Sequence, residues 1–437
     1  MTRGPANHYH RLPERTAPDN LNDPSRTHPA PSILLSTGNA VIGQSGGPTA
    51  VINQSLVGVV RGLKANGFAG RILGAHHAVS GIVKDDFIDL TDLDEGTLDR
   101  LAATPSSGLG SSRDKPDADY CRRILDAFKK HDVRYFFYIG GNDSSDACRI
   151  IAEMAQQEGY DLVAYHVAKT IDNDLKNNDH TPGFGSAAKF VACAFMGDDL
   201  DNRALPGIKI NIIMGRHAGF LTAASILGRE QPGDGPHLVY VPEAAFDLDA
   251  FLGDVERVYR EKGRCLIAVS EGIHDADGNP MAAKLAEAAG GVERDSHGNV
   301  QLSGSGALGD HLADAVKKHF AEKGEKARVR ADTFGYLQRC FPGCVSQVDQ
   351  HEAHTAGEHA AKFALSGEHK TGSVAIQRDT PSDPVRYARI EISDVAALTR
   401  TLPEQYLKDG NDIDDSFKAY LRPIVGDLPV KEVLPQL

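Results

Sequence analysis

The sequence predicts an α/β fold made of two doubly wound, parallel-sheet domains, and three observations support this. Short apolar runs typical of buried strands alternate with stretches of helical apolar spacing. The chain has 437 residues, which is more than one hydrophobic core usually supports. Glycines and polar residues cluster directly after several strand patterns, where ligands bind in such folds.

The individual elements follow in order along the chain. The first strand pattern is AVIGQSGG, and a helix pattern follows it, with Pro48 near its first turn and Gly67 at its end. Further helices are predicted in DYCRRILDAFKKHD, SSDACRIIAEMAQQEG, SAAKFVACAFMGDDLDN and AGFLTAASILGR. Further strands are predicted in RYFFYIGG, LVAYHVAKT, IKINIIMGR, HLVYVPE, RCLIAVSEG and GSVAIQR.

Composition and charge argue against several classes of function. The net charge of -13 provides no basic field for nucleic acid or an anionic membrane surface. No apolar run reaches transmembrane length, and residues 1–32 lack the apolar segment of a signal peptide and are predicted to form a disordered tail. The 6 cysteines are scattered without a CxxC pair, which favours reduced thiols and a cytoplasmic protein.

Two glycine pairs mark the first candidate site. Gly46 and Gly47 end one predicted strand, and Gly140 and Gly141 end another, so backbone amides at both places can approach an anion. The segment TPSSGLGSSRDKP lies between the pairs and offers hydroxyl groups and Arg113, which suit phosphate oxygens. A solvated turn would explain this segment equally well.

A lysine and two carboxylates form the second candidate site, in the segment AKTIDNDLKNND. Lys169, Asp172 and Asp174 directly follow a buried-strand pattern. The cation can offset charge on a transferring phosphoryl group, and a carboxylate can take the proton of an attacking hydroxyl. The second carboxylate can help to hold Mg²⁺. The alternative is a surface loop whose charges pair with one another.

Arginines and a tyrosine form the third candidate site, which would bind an acceptor. Arg216 lies between a strand and a helix, and Glu271 ends the strand pattern LIAVSEG. The segment RVRADTFGYLQR supplies Arg330, Tyr336 and Arg339. Arginine and tyrosine suit a sugar phosphate, and a carboxylate suits a sugar hydroxyl.

Six motifs carry a family resemblance. In this order, GQSGG, GGND, KTIDND, MGR, SEG and GYLQR resemble a phosphofructokinase, over about residues 38–340. The resemblance implies two α/β domains with the active site in the cleft between them. Residues 33–183, rejoined by about 338–390, would bind the phosphoryl donor, and residues 184–337 would bind the sugar phosphate. Residues 391–437 would form a C-terminal extension.

The resemblance also implies a role for each matching residue. Asp172 would remove the proton from the C1 hydroxyl of fructose 6-phosphate, and Thr170 would lie beside the transferred group. Gly46 and Arg113 would face the donor. The residues that would hold the sugar or its 6-phosphate are Met214, Gly215, Arg216, Glu271, Tyr336 and Arg339. Arg330 matches a family arginine that reaches a neighbouring subunit's sugar phosphate, which favours a homodimer or homotetramer.

Asp143 and Lys169 indicate which phosphoryl donor the protein uses. ATP-dependent members usually have glycine where Asp143 and Lys169 stand, so this chain resembles the pyrophosphate-dependent branch. A carboxylate at position 143 would repel the α-phosphate of ATP and fill its space, whereas pyrophosphate ends sooner. Lys169 would supply positive charge close to the leaving phosphate. The expected reaction is a reversible phosphoryl transfer from pyrophosphate to fructose 6-phosphate.

Mg²⁺ is the expected cofactor, with Asn142 and Asp174 as candidate ligands. The family commonly has an aspartate where Asn142 stands. Because an asparagine oxygen is a weaker, neutral ligand, Mg²⁺ would be held mainly by pyrophosphate, water and nearby carboxylates.

Rival interpretations have weaker support. ATP as donor is disfavoured by Asp143 and Lys169, and a non-catalytic regulatory homologue is disfavoured by the presence of both Asp172 and Lys169. The motif GSGALG fits a dinucleotide-binding pattern, but no convincing strand precedes it. The motif HEAHTAGEH misses the zinc-binding pattern by one residue and is interpreted as a polar helix face.

Overall fold

The computed structural model describes residues 37–288 and 306–434, and the predicted tail of residues 1–32 lies outside them. The strands in the described part are β1 (Asn39–Gln44), β2 (Ile72–Ala75), β3 (Phe87–Asp89), β4 (Val133–Gly140), β5 (Val163–Ala168), β6 (Ile208–Ile213), β7 (Leu238–Tyr240), β8 (Cys265–Ser270), β9 (Val329–Thr333), β10 (Thr371–Gln377), β11 (Arg386–Ile390), β12 (Leu407–Lys408) and β13 (Asp412–Ile413). The α-helices are α1 (Ile52–Ala65), α2 (Val79–Val83), α3 (Glu95–Ala103), α4 (Ala118–Lys130), α5 (Asn142–Gln157), α6 (Phe184–Ala204), α7 (Phe220–Ala223), α8 (Leu248–Lys262), α9 (Met281–Ala288), α10 (Ala307–Glu322), α11 (Leu337–Cys340), α12 (Gln347–Leu365) and α13 (Ser416–Val425).

The larger sheet has seven strands in the order β11-β10-β5-β4-β1-β2-β3. Its central pairs are parallel, and the antiparallel strands β3 and β11 lie at the two edges. The chain runs outward from β1 to β3 and then crosses to β4 on the other side of β1. The strand order therefore changes direction between β1 and β4, and a ligand crevice is expected beyond the carboxyl ends of these two strands.

The smaller sheet has four parallel strands in the order β7-β8-β6-β9. Here the chain places β7 and β8 on one side of β6 and β9 on the other. The carboxyl ends of β6 and its two neighbours therefore meet at one edge, which is again where a ligand is expected.

Strand β4 shows why the sequence forms parallel sheets that are covered on both faces. Its residues VRYFFYIG are apolar and aromatic almost throughout, and nearly all are buried. Such continuous runs are typical of strands covered on both faces. Helices cover both faces of each sheet, and the apolar core accordingly forms one large cluster on each face. The α/β fold with two doubly wound parallel sheets is confirmed.

Glycines allow the helices α1 and α12 to pack closely on one face of the larger sheet. A Cβ atom built on Gly58 would lie 2.0 Å from the His354 carbonyl oxygen, and one built on Gly357 would lie 2.3 Å from the Ser55 carbonyl oxygen. The two backbones are therefore in contact at positions where only glycine fits without a shift.

Several details differ from the sequence prediction. Helix α1 begins at Ile52, so Pro48 precedes the helix and does not lie in its first turn. The strands β2, β3, β9 and β11 were not predicted. Strands β2 and β3 are short, and strands β9 and β11 are partly exposed and lack a continuous apolar run. The motif HEAHTAGEH lies in α12, as predicted. No helix in the described part of the chain is long and apolar enough to cross a membrane.

Candidate active site

The turn after β1 brings the first glycine pair to the crevice. Gly46 has a positive φ of 76°, a conformation that favours glycine. Its N–H donates to the Ser112 carbonyl oxygen at 3.0 Å, and the Ser111 hydroxyl donates to its carbonyl oxygen at 2.6 Å. These bonds hold the segment that carries Arg113 against the turn.

The second glycine pair lies beside the first, after β4. A Cβ atom on Gly140 would lie 2.1 Å from the Ser144 hydroxyl oxygen, so the tight turn needs glycine. Gly141 caps the N-terminus of α5, and no side chain caps this helix end. The first amides of α5 thus point their partial positive charge into the crevice, which suits an anion.

Asp143 is the second residue of α5 and is exposed. Its carboxylate forms an ion pair with Lys115 at 3.2 Å, which the sequence analysis did not predict. A negative charge is favourable near a helix N-terminus. Lys115 therefore offsets part of the charge of Asp143 at this helix end.

Lys169 is the most deeply buried charged group of this crevice, with 3% of its surface exposed. It follows β5, and its ammonium group donates to the Gly47 carbonyl oxygen at 2.7 Å. Burial and, to a smaller extent, the positive charge of Arg339 lower the pKa of Lys169 to about 8, whereas Asp172 opposes the shift. A buried ammonium group under a glycine turn is well suited to attract a phosphate.

Two carboxylates follow Lys169 in the loop that connects β5 to α6. The Thr170 hydroxyl accepts a hydrogen bond from the Asp172 backbone N–H at 3.1 Å. Burial raises the pKa of Asp172, and the positive charges of Arg339 and Lys169 oppose this shift. Burial and the negative charge of Asp172 raise the pKa of Asp174 to about 7. Carboxylates with raised pKa values are better bases near neutral pH.

Asn142 and Asp174 lie together at the mouth of the crevice. The Asn142 amide nitrogen donates to the Asp174 carboxylate at 3.0 Å. The Asn142 amide oxygen is buried and has no hydrogen-bond partner. The Asp174 carboxylate and the Asn142 amide are the kinds of oxygen-bearing groups that a hard cation such as Mg²⁺ prefers, and Mg²⁺ keeps several waters. No group of three His, Cys, Asp or Glu side chains in the described residues could hold a metal alone.

The smaller sheet presents the second wall of the site. Met214, Gly215 and Arg216 follow β6 directly, and the Met214 N–H lies 3.3 Å from the Gln338 side-chain oxygen. Gly215 has a φ of 139° and accepts a hydrogen bond from the Ser270 hydroxyl at 2.7 Å. Arg216 is exposed.

Glu271 follows β8 and is 7% exposed. Its N–H donates to the Ile213 carbonyl oxygen at 2.8 Å, which places it beside the end of β6. Its carboxylate acts electrostatically on Arg339. Glu271 therefore belongs to the same cluster as Met214 and Arg339.

Arg339 lies where the two walls meet. A Cβ atom on Gly47 would lie 3.2 Å from its guanidinium carbon, and that carbon lies 4.4 Å from the centre of the Tyr336 ring. Burial lowers the pKa of Arg339, and the positive charge of Arg113 lowers it further. Arg339 is thus next to the Gly46–Gly47 turn and also near Glu271, a more central place than the sequence indicated.

Arg330 does not join this cluster. It lies on β9 and pairs in register with Lys209, the second residue of β6. Met214 lies five positions after Lys209, which corresponds to about 16 Å along a strand. Arg330 is exposed at this distance from the carboxyl ends of the strands. Its own chain's crevice is therefore out of its reach.

Sequence reasoning missed residues that contact the cluster. His217 follows Arg216 and acts electrostatically on Asp172. The motif MGRHAG contains this histidine beside the predicted arginine. Arg400, from the C-terminal part of the chain, donates to the loop between Asp172 and Asp174. No motif marks Arg400, because its partners are backbone carbonyl groups more than 200 residues away.

Comparisons with known proteins agree with this geometry. The family model described as phosphofructokinase matches residues 39–364. A protein named pyrophosphate–fructose 6-phosphate 1-phosphotransferase from Rhodospirillum rubrum is 54% identical over 390 residues, covering 89% of this chain and 94% of the relative. One of the same name from Halomonas elongata is 34% identical, covering 89% and 91%.

A solved structure shows the same fold. The pyrophosphate-dependent phosphofructokinase from Nitrosospira multiformis superimposes with a TM-score of 0.77 at 30% sequence identity. The match covers 91% of this chain and 95% of that one. The similarity thus extends over both sheets and most of the C-terminal part.

Proposed function

This chain belongs to the phosphofructokinase family, and from that premise we propose that it transfers a phosphoryl group reversibly between pyrophosphate and the C1 hydroxyl of fructose 6-phosphate. The observation that supports this most strongly is the position of Lys169. Its ammonium group lies under the Gly46–Gly47 turn and interacts electrostatically with Asp172. One buried cation can thus serve both the donor phosphates and the base.

Asp172 is the proposed base. As the C1 oxygen forms its bond to phosphorus, Asp172 takes the hydroxyl proton, and the bond from phosphorus to the leaving phosphate breaks. The raised pKa of Asp172 makes it a stronger proton acceptor, and the same proton returns in the reverse reaction. Lys169 and Arg339 lie close enough to offset the charge of the transferring group.

The donor is proposed to bind across the two glycine turns. Gly46, Gly47, Gly140 and Gly141 bring backbone groups to the phosphates, and the N-terminus of α5 adds its partial positive charge. Asp143 stands beside this helix end and restricts the donor to two phosphates.

The acceptor is proposed to bind against the smaller sheet. Arg216, Tyr336 and Arg339 provide donors for a phosphate, and Glu271 accepts from sugar hydroxyls. Met214 and Gly215 shape the floor of this site, which agrees with their burial. Thr170 is proposed to lie beside the transferred group, and its hydroxyl accepts a hydrogen bond from the Asp172 backbone N–H.

Mg²⁺ is proposed as the cofactor, held by Asn142, Asp174, pyrophosphate and water. When bound, it neutralises charge on the phosphates. The unpartnered Asn142 oxygen and the raised pKa of Asp174 support this proposal, since a cation would satisfy both groups.

We also propose the domain organisation, the oligomeric state and the cellular location of the protein, on the basis of its family. The donor-binding part comprises residues 33–183 and about 338–390, and the sugar-binding part comprises residues 184–337, with residues 391–437 as a C-terminal extension. The protein is proposed to form a homodimer or homotetramer and to work in the cytoplasm. All 6 cysteines are free thiols, which agrees with a reducing compartment.

An assay of the purified protein with Mg²⁺ and fructose 6-phosphate tests the function. We expect formation of fructose 1,6-bisphosphate with pyrophosphate and at least about a hundredfold less with ATP, because binding differences of a few kcal/mol separate the donors. Activity with ATP alone would contradict the proposed donor, and no activity with either would contradict the proposed function. Asp172→Asn should reduce kcat by orders of magnitude without unfolding the protein.

A further inference from the structure

The loop that carries Asp172 and Asp174 has an unusual backbone between these two residues. Asn173 is fully buried and has a φ of 59°, in the left-handed region. Residues other than glycine adopt this conformation rarely, although asparagine tolerates it better than most. Contacts with other residues must hold Asn173 in this conformation. The Asn173 backbone matters because it sets the direction in which the Asp172 and Asp174 side chains point.

Arg400 makes three hydrogen bonds to this loop. Its guanidinium group donates to the Asn173 carbonyl oxygen at 2.8 Å and to the Asp179 carbonyl oxygen at 2.6 Å. Its backbone N–H donates to the Asp174 carbonyl oxygen at 2.8 Å. The guanidinium carbon also lies 4.8 Å from the centre of the Phe220 ring. A planar guanidinium group with fixed donors can bridge two such carbonyl groups, which an ammonium group does less well.

Tyr420 of α13 holds the Asn173 side chain. The Tyr420 hydroxyl accepts from the Asn173 amide nitrogen at 2.8 Å and donates to the Asp179 carbonyl oxygen at 2.7 Å. Tyr420 is 6% exposed and packs in the apolar core beside the smaller sheet. Its hydroxyl group is therefore fixed in position before any substrate binds.

The same segment continues to the sugar side of the site. The Leu402 N–H donates to the Glu243 carboxylate at 2.7 Å, and the same carboxylate oxygen accepts from the Gly219 N–H at 2.9 Å. Gly219 lies three residues after Arg216 in the segment that follows β6. Residues 400–402 therefore connect the loop of the two carboxylates to the proposed sugar-binding segment.

From these contacts we infer that Arg400 and Tyr420 are positioning residues, which fix Asn173 and thereby aim Asp172 and Asp174 at the reacting groups. This inference rests on the proposed function, because it gives the C-terminal extension a task in the same reaction. Neither residue takes part in the chemistry. They act by keeping the loop in one conformation, and small misplacements of reacting groups can reduce a rate about a hundredfold.

Three variants test the inference. Arg400→Gln removes the guanidinium bridge, Tyr420→Phe removes one hydroxyl oxygen and retains the packing of the ring, and Arg400→Lys retains the charge but not the fork of donors. Arg422→Gln is the matched control, since Arg422 is exposed on α13. Steady-state kinetics with pyrophosphate and fructose 6-phosphate are combined with backbone hydrogen exchange of residues 170–176.

We expect Arg400→Gln and Tyr420→Phe to lower kcat about 10- to 100-fold, with less than about a threefold change in KM. Arg400→Lys should recover part of the loss, and Arg422→Gln should match the wild type. Hydrogen exchange of residues 170–176 should accelerate in the first two variants.

If Arg400→Gln and Tyr420→Phe both fold and retain the wild-type kcat, the inference is overturned. Unchanged hydrogen exchange of residues 170–176 in these two variants would overturn it as well. A fall in thermal stability of Tyr420→Phe at constant kcat would also overturn it, because that result indicates support of the fold alone. If the wild type itself lacks pyrophosphate activity, the proposed function fails, and the exchange measurement still decides whether Arg400 and Tyr420 hold the loop.

Discussion

Burial and neighbouring charges change the pKa of Lys169. Its pKa, lowered to about 8 mainly by burial, implies that the protonated form is present below pH 8 and is lost as the pH rises through this value. Because the proposed mechanism needs the charged form, kcat/KM for pyrophosphate should fall on the alkaline side with an apparent pKa near 8. This parameter reports the free enzyme, so a rate profile between pH 6 and 10 measures it.

Lys169→Arg provides the control for this prediction. A guanidinium group stays charged between pH 6 and 10. The fall of kcat/KM at alkaline pH should therefore move to higher pH in Lys169→Arg, even if the variant is slower than the wild type. The substrate is the same for both proteins, so its own titration cancels in the comparison. An alkaline fall that stays near pH 8 in Lys169→Arg would assign it to another group.

Asp143 and Lys115 allow the basis of donor choice to be tested at a single position. Asp143→Asn removes the charge and retains the size, whereas Asp143→Gly removes both. Since Lys115 already offsets part of the charge, we expect Asp143→Gly to gain ATP-dependent activity by about tenfold or more and Asp143→Asn to gain less. Steady-state assays with ATP and pyrophosphate measure the change. Equal gains would identify charge as the main filter, and no gain in either would show that other residues exclude ATP.

At the level of the elements, the contact between α1 and α12 should depend on its glycines. In Gly58→Ala the new methyl group would lie 2.0 Å from a backbone oxygen of α12, so the helices must move apart. We expect the free energy of unfolding to fall by about 1–3 kcal/mol, the usual cost of overpacking.

Gly253→Ala is the matched control for that helix contact. Gly253 lies within α8, and no neighbouring atom lies within 4 Å of a Cβ built there. Alanine is the better helix former, so this variant should gain about 0.5–1 kcal/mol. Denaturant unfolding of both variants measures the difference. Two variants of equal stability would show that α1 and α12 adjust freely to the methyl group.

The elements that the sequence predicted well are those with a strong local pattern. Buried strands such as β4 are apolar almost throughout, and the glycine turns after β1 and β4 stand at fixed places in their motifs. The antiparallel edge strands β3 and β11 lack this pattern, since they are partly exposed and are set by pairing with β2 and β10. Tertiary contact, not local propensity, determines such strands.

The candidate site was predictable to a similar extent. Lys169, Asp172 and Asp174 stand within one motif, so their proximity was readable from the sequence. Arg400 was not, because its partners are backbone carbonyl groups far along the chain. Lys115 lies in a segment that the sequence marked as a candidate donor site, but its ion pair with Asp143 was not predicted. The central place of Arg339 likewise depends on how the two sheets approach each other, which no local pattern contains.

For the molecule as a whole, Arg330 suggests that one chain does not complete its own site. Arg330 is exposed on β9, about 16 Å along the strands from the edge where Met214 and Glu271 lie. In the proposed homo-oligomer, this cation would reach the sugar phosphate of a neighbouring copy. In a symmetric dimer the same contact occurs twice, so the Arg330 of each subunit would lie in the active site of the other subunit.

Mixed oligomers test this arrangement directly. Arg330→Ala and Asp172→Ala should each abolish most activity as pure oligomers. Co-expression of the two variants should recover activity, because a mixed dimer contains one site with an intact Asp172 and an intact Arg330 from its neighbour. Random mixing gives half mixed dimers with one working site of two, so about a quarter of wild-type activity is expected. Two different affinity tags isolate the mixed species, whose specific activity should be about half that of the wild type. Isolated mixed oligomers without activity, or a fully active Arg330→Ala variant, would show that each chain completes its site alone.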